Sequence, residues 1–444
     1  MQIELIIIAY FLFIIGIGVY SAFQMKKPED YYVAGKRAGL IPVSGSLLAT
    51  ILGGSAVLGT IELSQAVGWP ALWFLFSAAL GLLVLVPVSK YVRRYGNFTL
   101  PELLGKFYGK KVETIASVII PLAWVGIIAA QIIAAAKILT GLHSLSYQQA
   151  AIISGAIFIL YTLLGGQWSI LKTDTLQSVL ILVGLAAMLF FIFSDPQKQV
   201  SAPLSFRTLF NEKFGLFDLL ILLITYSVTF VVGPDIYSRI FCARNEKTAA
   251  NSVLIVALIL IPVSFGLTYL GVFSQNSGEG IVSFAQHLLP SWGYGLFLAA
   301  LLSAVMSSAD TTLLTSAIIL SELITGNLER EKSLVLTRFL IVAIGILSII
   351  IALYVTSIIQ ALLLALTFFS GAFVVPTLAG LLKLRVNKKY IITAIISGGL
   401  IALSGKIVSV SFHKLTGNLL IIVSYVINSL LLFYPLKQHG KVNK

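Results

Sequence analysis

The sequence predicts an all-α integral membrane protein, a single transmembrane domain of about 13 helices spanning residues 1–444. Three observations carry that expectation. The chain is 58% hydrophobic before its 36 glycines are counted, where soluble domains reach about 45–50% with glycine included. Only 11% of its residues are charged, against about 25% in soluble proteins. The apolar residues also gather in runs long enough to cross a bilayer core, which takes ~20 residues of helix. With a mean hydropathy of +1.00, a soluble globule of this size could not bury so much apolar surface. Scarce charge excludes a disordered chain or a coiled coil. The single cysteine, Cys242, excludes a disulfide scaffold.

The expected spans run near 3–23, 40–67, 70–92, 112–141, 148–166, 168–194, 215–243, 247–274, 292–324, 332–354, 357–382, 388–407 and 415–436. None shows the short alternating segments of a barrel. The first, IELIIIAYFLFIIGIGVYSAF, lacks a basic leader and an A-x-A-like cleavage site, and its apolar run is too long for a signal peptide. It is expected to be a retained helix. The second, GSLLATILGGSAVLGTIELSQ, is interrupted at Gly53-Gly54. Each glycine lowers helix propensity by about 1 kcal/mol relative to alanine, and a helix broken at mid-bilayer is tolerated where it lines a cavity or is packed in protein. Glu62 falls late in this span, near the outer surface. In the fourth span, Gln131 and Lys137 are polar, and Lys137 can snorkel outward.

The sixth span, opening GGQWSILKTDTLQ, carries Asp174 a turn or two inside, with Thr173 and Gln177 nearby. The seventh, TYSVTFVVGPDIYSRIF, holds Thr225, Tyr226, Ser227 and Thr229 at depth, and Gly233-Pro234 interrupts it. A discontinuity is therefore expected over Tyr226–Pro234. Interrupted helices at corresponding positions, five spans apart, point to inverted repeats with a binding site between them. Spans 2–6 (40–194) and 7–11 (215–382) form the two repeats in this reading, with 3–23 as an extra N-terminal helix and 388–436 as C-terminal additions. The ninth span, SAVMSSADTTLLTS, sets Ser303, Ser307 and Asp310 on one helical face, beside a stripe of Ala304, Ser308 and Thr311 or Thr312. Hydroxyls, carbonyls and a carboxylate suit a hard cation. The four histidines and one cysteine show no metal-ligand spacing.

The net charge of +13 is unevenly placed. The segments expected inside hold Lys26, Lys27, Lys36 and Arg37, six basic residues between Lys90 and Lys111, then Arg239, Arg244 and Lys247. Further along they hold Arg330, Lys332, Arg338, Lys383, Arg385, Lys388 and Lys389, and finally Lys437, Lys441 and Lys444. The outside segments hold only Lys198, Arg207, Lys213, Lys406 and Lys414. This asymmetry sets the N-terminus outside and the C-terminus in the cytoplasm of a multi-pass cell-membrane protein. No basic cluster is interleaved with aromatics in a soluble segment, so nucleic acid is not an expected partner.

Five passages together resemble the sodium:solute symporter family, whose members carry proline, sugars, sialic acid, pantothenate or monocarboxylates. They are EDYYVAGKRAG, SLLATILGGSAVLG, GGQWSILKTDTLQ, GPDIYSRIFCARNEKTA and LLSAVMSSADTTLLTSA, in the family's order relative to the spans. The resemblance implies a leucine-transporter-type fold and sodium-driven uptake of a small organic solute by alternating access, with no catalysis and no organic cofactor. The expected partners are the bilayer, Na+ and the solute. It also implies a sodium site at Ala49, Leu52, Ala304, Ser307 and Ser308, and a second cation or proton site at Asp174, Asp310 and Thr311. Asp310 stands where a hydroxyl can stand in the family, which leaves that site open between sodium, a proton and neither. Substrate positions fall on Ser55, Ala56, Tyr226, Thr229, Thr367 and Ser370. Ala56, Leu75 and Leu260 are apolar where sugar carriers are polar, and each sugar hydroxyl left unpaired would cost about 1–3 kcal/mol. Proline or another amino acid is the expected solute, with a monocarboxylate second. The competing readings are a proton-coupled carrier using Asp174 and Asp310, and a membrane sensor or channel. Against a channel, no filter or pore-lining repeat is visible.

Overall fold

In the computed structural model, residues 2–24, 27–140, 145–194, 204–275, 280–355 and 357–434 are described. Of the basic residues counted above, Lys26, Lys198, Lys437, Lys441 and Lys444 lie outside them. Every expected span falls on a helix. These are α1 (Gln2–Gln24), the pair α3 (Leu40–Ile51) and α4 (Gly54–Val67), α5 (Leu72–Tyr95), α7 (Lys110–Thr140) and α8 (Tyr147–Phe193). The second half holds α9 (Leu216–Leu222), α10 (Val228–Val232) and α11 (Pro234–Cys242) in series, then α12 (Glu246–Ser274), α14 (Ser291–Thr325), α15 (Glu331–Tyr354), α16 (Ile358–Leu381), α17 (Ile391–Ser411) and α18 (Lys414–Leu432). Short connecting helices are α2 (Pro28–Val33), α6 (Leu100–Tyr108) and α13 (Ile281–Leu288). Among the described residues, 10 helices qualify by length and hydropathy to cross a membrane, or 11 when α3 and α4 count as one bent span. The first and fifth expected spans meet shorter apolar stretches, Leu12–Ser21 and Tyr147–Leu163. Among the described residues the only β pairings are two isolated bridges, Ala38 with Ala243 and Asn211 with Phe214.

Three breaks shape the bundle. The 47 residues of α8 would reach ~70 Å unbroken, over twice the ~30 Å of a bilayer core. Gly166, at φ 56°, divides them into two spans. Its left-handed backbone favours glycine, and a Cβ there would run into the Tyr31 ring. The second break separates α3 from α4, which meet at 44°. Here close approach, not dihedral strain, requires glycine: a Cβ on Gly53 would overlap the Ser308 side chain, and one on Gly54 would overlap Val305. Both neighbours belong to α14.

The third break is compound. Residues Leu223–Ser227 form a π-helical turn between α9 and α10, and Gly233 is extended before α11. Pro234 opens α11 at its first position, where a missing N–H costs nothing and the fixed φ suits the helix. Helix α14 sits at the centre: 94% of its apolar window is buried, against 28% for α15. It packs on α8, α7, α1, α3 and α4, while α17 and α18 pair with each other and lean on α16. The two broken spans therefore face the most enclosed helix of the bundle.

Candidate functional site

A helix end leaves its last carbonyls without intrahelical donors. At the end of α3 the Leu52 amide takes the Leu48 carbonyl at 2.8 Å, so the next carbonyls look outward. The α14 hydroxyls meet them. Ser307 Oγ donates to Ala49 O at 2.9 Å and approaches Ala304 O at 3.2 Å. Ser308 Oγ donates to Thr50 O at 2.5 Å. The structure thus gathers Ala49, Ala304, Ser307 and Ser308, four of the five positions named for sodium. The carbonyl facing Ser308 belongs to Thr50, and Leu52, the fifth named position, lies in the bend at the end of α3. All these oxygens are neutral and buried, a donor set that fits a monovalent hard cation.

One turn further along α14 the chemistry changes. Asp174 on α8, Ser46 on α3, Arg239 on α11 and Thr311 on α14 converge. Ser46 Oγ donates to Asp174 Oδ2 at 2.5 Å. Arg239 donates through Nε to Ser46 Oγ at 2.9 Å, through Nη1 to Ser238 Oγ at 3.1 Å, and through Nη2 to Asp174 Oδ2 at 3.2 Å and to Thr311 Oγ1. Thr311 Oγ1 in turn donates to Ser307 O at 2.7 Å, which ties this cluster to the first. Asp310 is also buried here, and Thr311 Oγ1 lies 3.4 Å from its Oδ1. Among the described residues, Asp310 Oδ2, Asp174 Oδ1 and Gln177 Oε1 are buried without a hydrogen-bond partner. From α1, the Tyr10 hydroxyl accepts bonds from Ser303 Oγ at 3.0 Å and Gln177 Nε2 at 3.1 Å.

Beside the α3–α4 break lies a cavity of about 50 Å³, bordered by α3, α4, α7, α10, α11, α14 and α16. That is room for roughly three to five waters. Ser55, Ala56, Tyr226 and Thr229 line it, as named from the sequence. Thr367 and Ser370 do not. They lie past the lining face of α16, which presents Leu362 and Leu366 at i, i+4, and Ser370 Oγ turns back to Thr367 O at 3.0 Å. Tyr226 stacks on Phe74 at 4.4 Å between ring centroids and meets Phe230 edge-on at 5.0 Å. Thr50 and Ser308 border the cavity as well, so the α3 end and α14 contribute to both places.

A family model described as the sodium:solute symporter family matches residues 31–398. The chain belongs to that family. It is 24% identical to the sodium/pantothenate symporter of Escherichia coli (strain K12) over 461 aligned positions, covering 95% of both chains. It is 26% identical to the sodium/proline symporter of Haemophilus influenzae, covering 78% of this chain and 77% of that one. In three dimensions it matches a Na+-coupled sialic acid symporter in a substrate-bound, outward-open state, with a TM-score of 0.77 at 18% identity and 99% coverage of both chains. At that identity the likeness concerns the fold, which is of the leucine-transporter type.

Within this family member, three site residues, Arg239, Asp235 and Trp124, lie outside the expectations drawn from the sequence. Arg239 was assigned to a cytoplasmic loop, but it lies in α11 with its side chain fully buried. An arginine does not lose its proton in a protein, so enclosure obliges it to pair, and Asp174 is its ion-pair partner. The signal was present: Arg239 falls inside the expected 215–243 span. Asp235 borders the cavity directly after the Gly233-Pro234 break, in a motif read only as a kink. Trp124 lines the cavity too, and nothing in its apolar stretch marked it. Gln131, expected as a polar residue of its span, ties α7 to the start of α4, with Nε2 donating to Ser55 Oγ at 2.8 Å and Oε1 accepting from the Ser55 amide at 3.3 Å. Glu62 and Lys137, expected near the outer face, pair at 2.6 Å.

Proposed function

We propose that this chain is a secondary active transporter that couples inward sodium movement to uptake of a small organic solute, an amino acid such as proline, by alternating access. One observation carries the reading: the α14 hydroxyls of Ser307 and Ser308 meet the carbonyls released where α3 ends, and Ser308 and Thr50 also border the solute cavity. Sodium would be held by Ala49 O, Leu52 O, Ala304 O, Ser307 Oγ and Ser308 Oγ. A cation there draws the broken helix onto α14 and firms one wall of the cavity. Each ligand then strengthens the other's binding by the same factor. The inward step gains ~2.3 kcal/mol per charge for each 100 mV. The solute rests among Ser55, Ala56, Tyr226 and Thr229.

In this reading the protein is one domain of two inverted repeats, 40–194 and 215–382, whose rocking exchanges access. It sits in the cell membrane with its N-terminus outside and its C-terminus in the cytoplasm. The homologous sodium/proline symporter supports the amino-acid assignment. The test is reconstitution into liposomes with an imposed sodium gradient and a panel of amino acids, monocarboxylates and sugars. Ser307→Ala and Ser308→Ala should each raise the half-saturating sodium concentration by tenfold or more, the scale of ~1.4 kcal/mol, while the protein stays folded. Unchanged sodium activation in both variants would refute the site. The unpartnered Asp310 Oδ2 supports a second reading, a proton-coupled carrier of the same fold using Asp174 and Asp310. Solute uptake at low pH in sodium-free buffer would decide for it.

A further inference from the structure

We propose that Asp235 anchors a protonated amine on the transported solute, and that the cavity accepts amine-bearing solutes and rejects simple carboxylate anions. The inference rests on the reading of this cavity as the solute site. Asp235 is the one charged residue on a lining otherwise made of neutral polar, aliphatic and aromatic side chains. It is only partly buried, unlike its neighbours Pro234 and Ile236. Among the described residues it has no ion-pair partner. Arg239, one turn along α11, is committed to Ser46, Ser238, Asp174 and Thr311. Asp235 lies in the first turn of α11, where the helix end favours a carboxylate without supplying a counter-charge.

A carboxylate enclosed without a cation is costly, and a partner of opposite charge offsets that cost. A second carboxylate brought into the same small space would be repelled, which is a means of selection by exclusion. The remaining walls suit an organic cation: Trp124, Tyr226 and Phe230 give the cavity three aromatic rings, whose faces attract ammonium groups. Trp124 adds a second cue. Its Nε1 is a buried donor with no partner among the described residues, free to take an acceptor atom of the solute. An ammonium for Asp235 and an acceptor for Trp124 describe an amino acid better than a simple acid. The cavity's size admits only a small one.

The experiment uses the purified full-length chain. Thermal unfolding in detergent, with and without sodium, and uptake into proteoliposomes are measured for the standard L-amino acids and choline. They are compared with the amine-free acids tetrahydrofuran-2-carboxylate, propionate and lactate. At least one amine should stabilise the chain and be taken up, while the amine-free acids do neither. Asp235→Asn should raise the half-saturating concentration of that amine tenfold or more, and Asp235→Glu should keep part of the binding. The proposal is overturned if an amine-free acid binds as well as any amine, if no amine binds, or if Asp235→Asn binds the amine like the wild type. Should Asp235→Asn not fold, Asp235→Glu and the wild-type panel still decide. Amine binding that depends on Asp235 but ignores sodium would sink the coupling reading and leave this one standing.

Discussion

Two oxygen clusters lie one turn apart on α14, and they are built on opposite principles. Around Ser307 and Ser308 every contributing atom is neutral, and each hydroxyl donates to a carbonyl. Around Asp174, Asp310 and Arg239 there are three ionisable groups, and two carboxylate oxygens lack a partner among the described residues. A neutral carbonyl–hydroxyl set can exchange its internal bonds for a cation and back at small cost, as a carrier that must release its ion requires. A buried ion pair cannot be opened that way, because each half would be left uncompensated. The first cluster is therefore suited to reversible binding. The second acts as a fastener joining α3, α8, α11 and α14, with Asp310 as a spare charge beside it.

The largest expected effect breaks the fastener. Arg239→Met leaves Asp174 buried without its cation and should cost about 3–5 kcal/mol of stability. Thermal unfolding of the detergent-solubilised chain measures this. Adding Asp174→Asn to the same chain should recover much of the loss, since removing both charges avoids the orphan. If Arg239→Met alone melts like the wild type, the contrast between the clusters fails.

Arg239 also marks where the sequence became hard to read. The helices were legible because burial in lipid demands long apolar runs, and the breaks were legible because glycine and proline leave a local mark. Helical spacing puts Ser307 and Ser308 on adjacent stripes of one span, and the family resemblance implies their joint role. Arg239 was missed because its charge was counted with the cytoplasmic segments, whereas tertiary pairing can hold it at depth, and Asp235 because Gly233-Pro234 beside it marks only a break. The bond from Ser308 to Thr50 O was not legible, because the register between α3 and α14 is set by packing of two distant segments. Thr367 and Ser370 lie off the cavity for a similar reason: nothing local tells how far along α16 the cavity reaches, and Leu362 and Leu366 are the α16 residues that border it.

The next test narrows the contrast by crowding the neutral cluster. In Gly53→Ala the added methyl would collide with Ser308. Overpacking of this kind costs roughly 1–3 kcal/mol. It should also push the α3–α4 break away from α14, so half-saturation by sodium rises along with the loss of stability. A variant that loses stability but keeps wild-type sodium activation would separate packing from ion binding at this point.

Asp310→Asn asks what the spare charge does. It keeps the side chain's shape and removes a charge that has no ion-pair partner among the described residues, so stability should change by less than about 1 kcal/mol or improve slightly. Transport is the informative readout. If the carboxylate carries a second ion or a proton, the substitution alters the number of sodium ions moved per solute or the pH dependence of uptake. Both quantities unchanged would make Asp310 part of the scaffold.

The smallest effect belongs to a pair with the same charges as Arg239–Asp174 and a different setting. Lys137 and Glu62 meet at 2.6 Å, but their side chains are 35% and 38% exposed, against 0% for both members of the buried pair. Water and salt therefore screen them, and exposed pairs contribute about 0.2–1 kcal/mol. Glu62→Gln should lower the unfolding temperature slightly, and the difference from the wild type should shrink as ionic strength rises. The loss in Arg239→Met should be nearly independent of salt. If the two variants respond alike to salt, burial is not what divides these ion pairs, and the fastener at Arg239 would have to draw its strength from the hydrogen bonds to Ser46, Ser238 and Thr311.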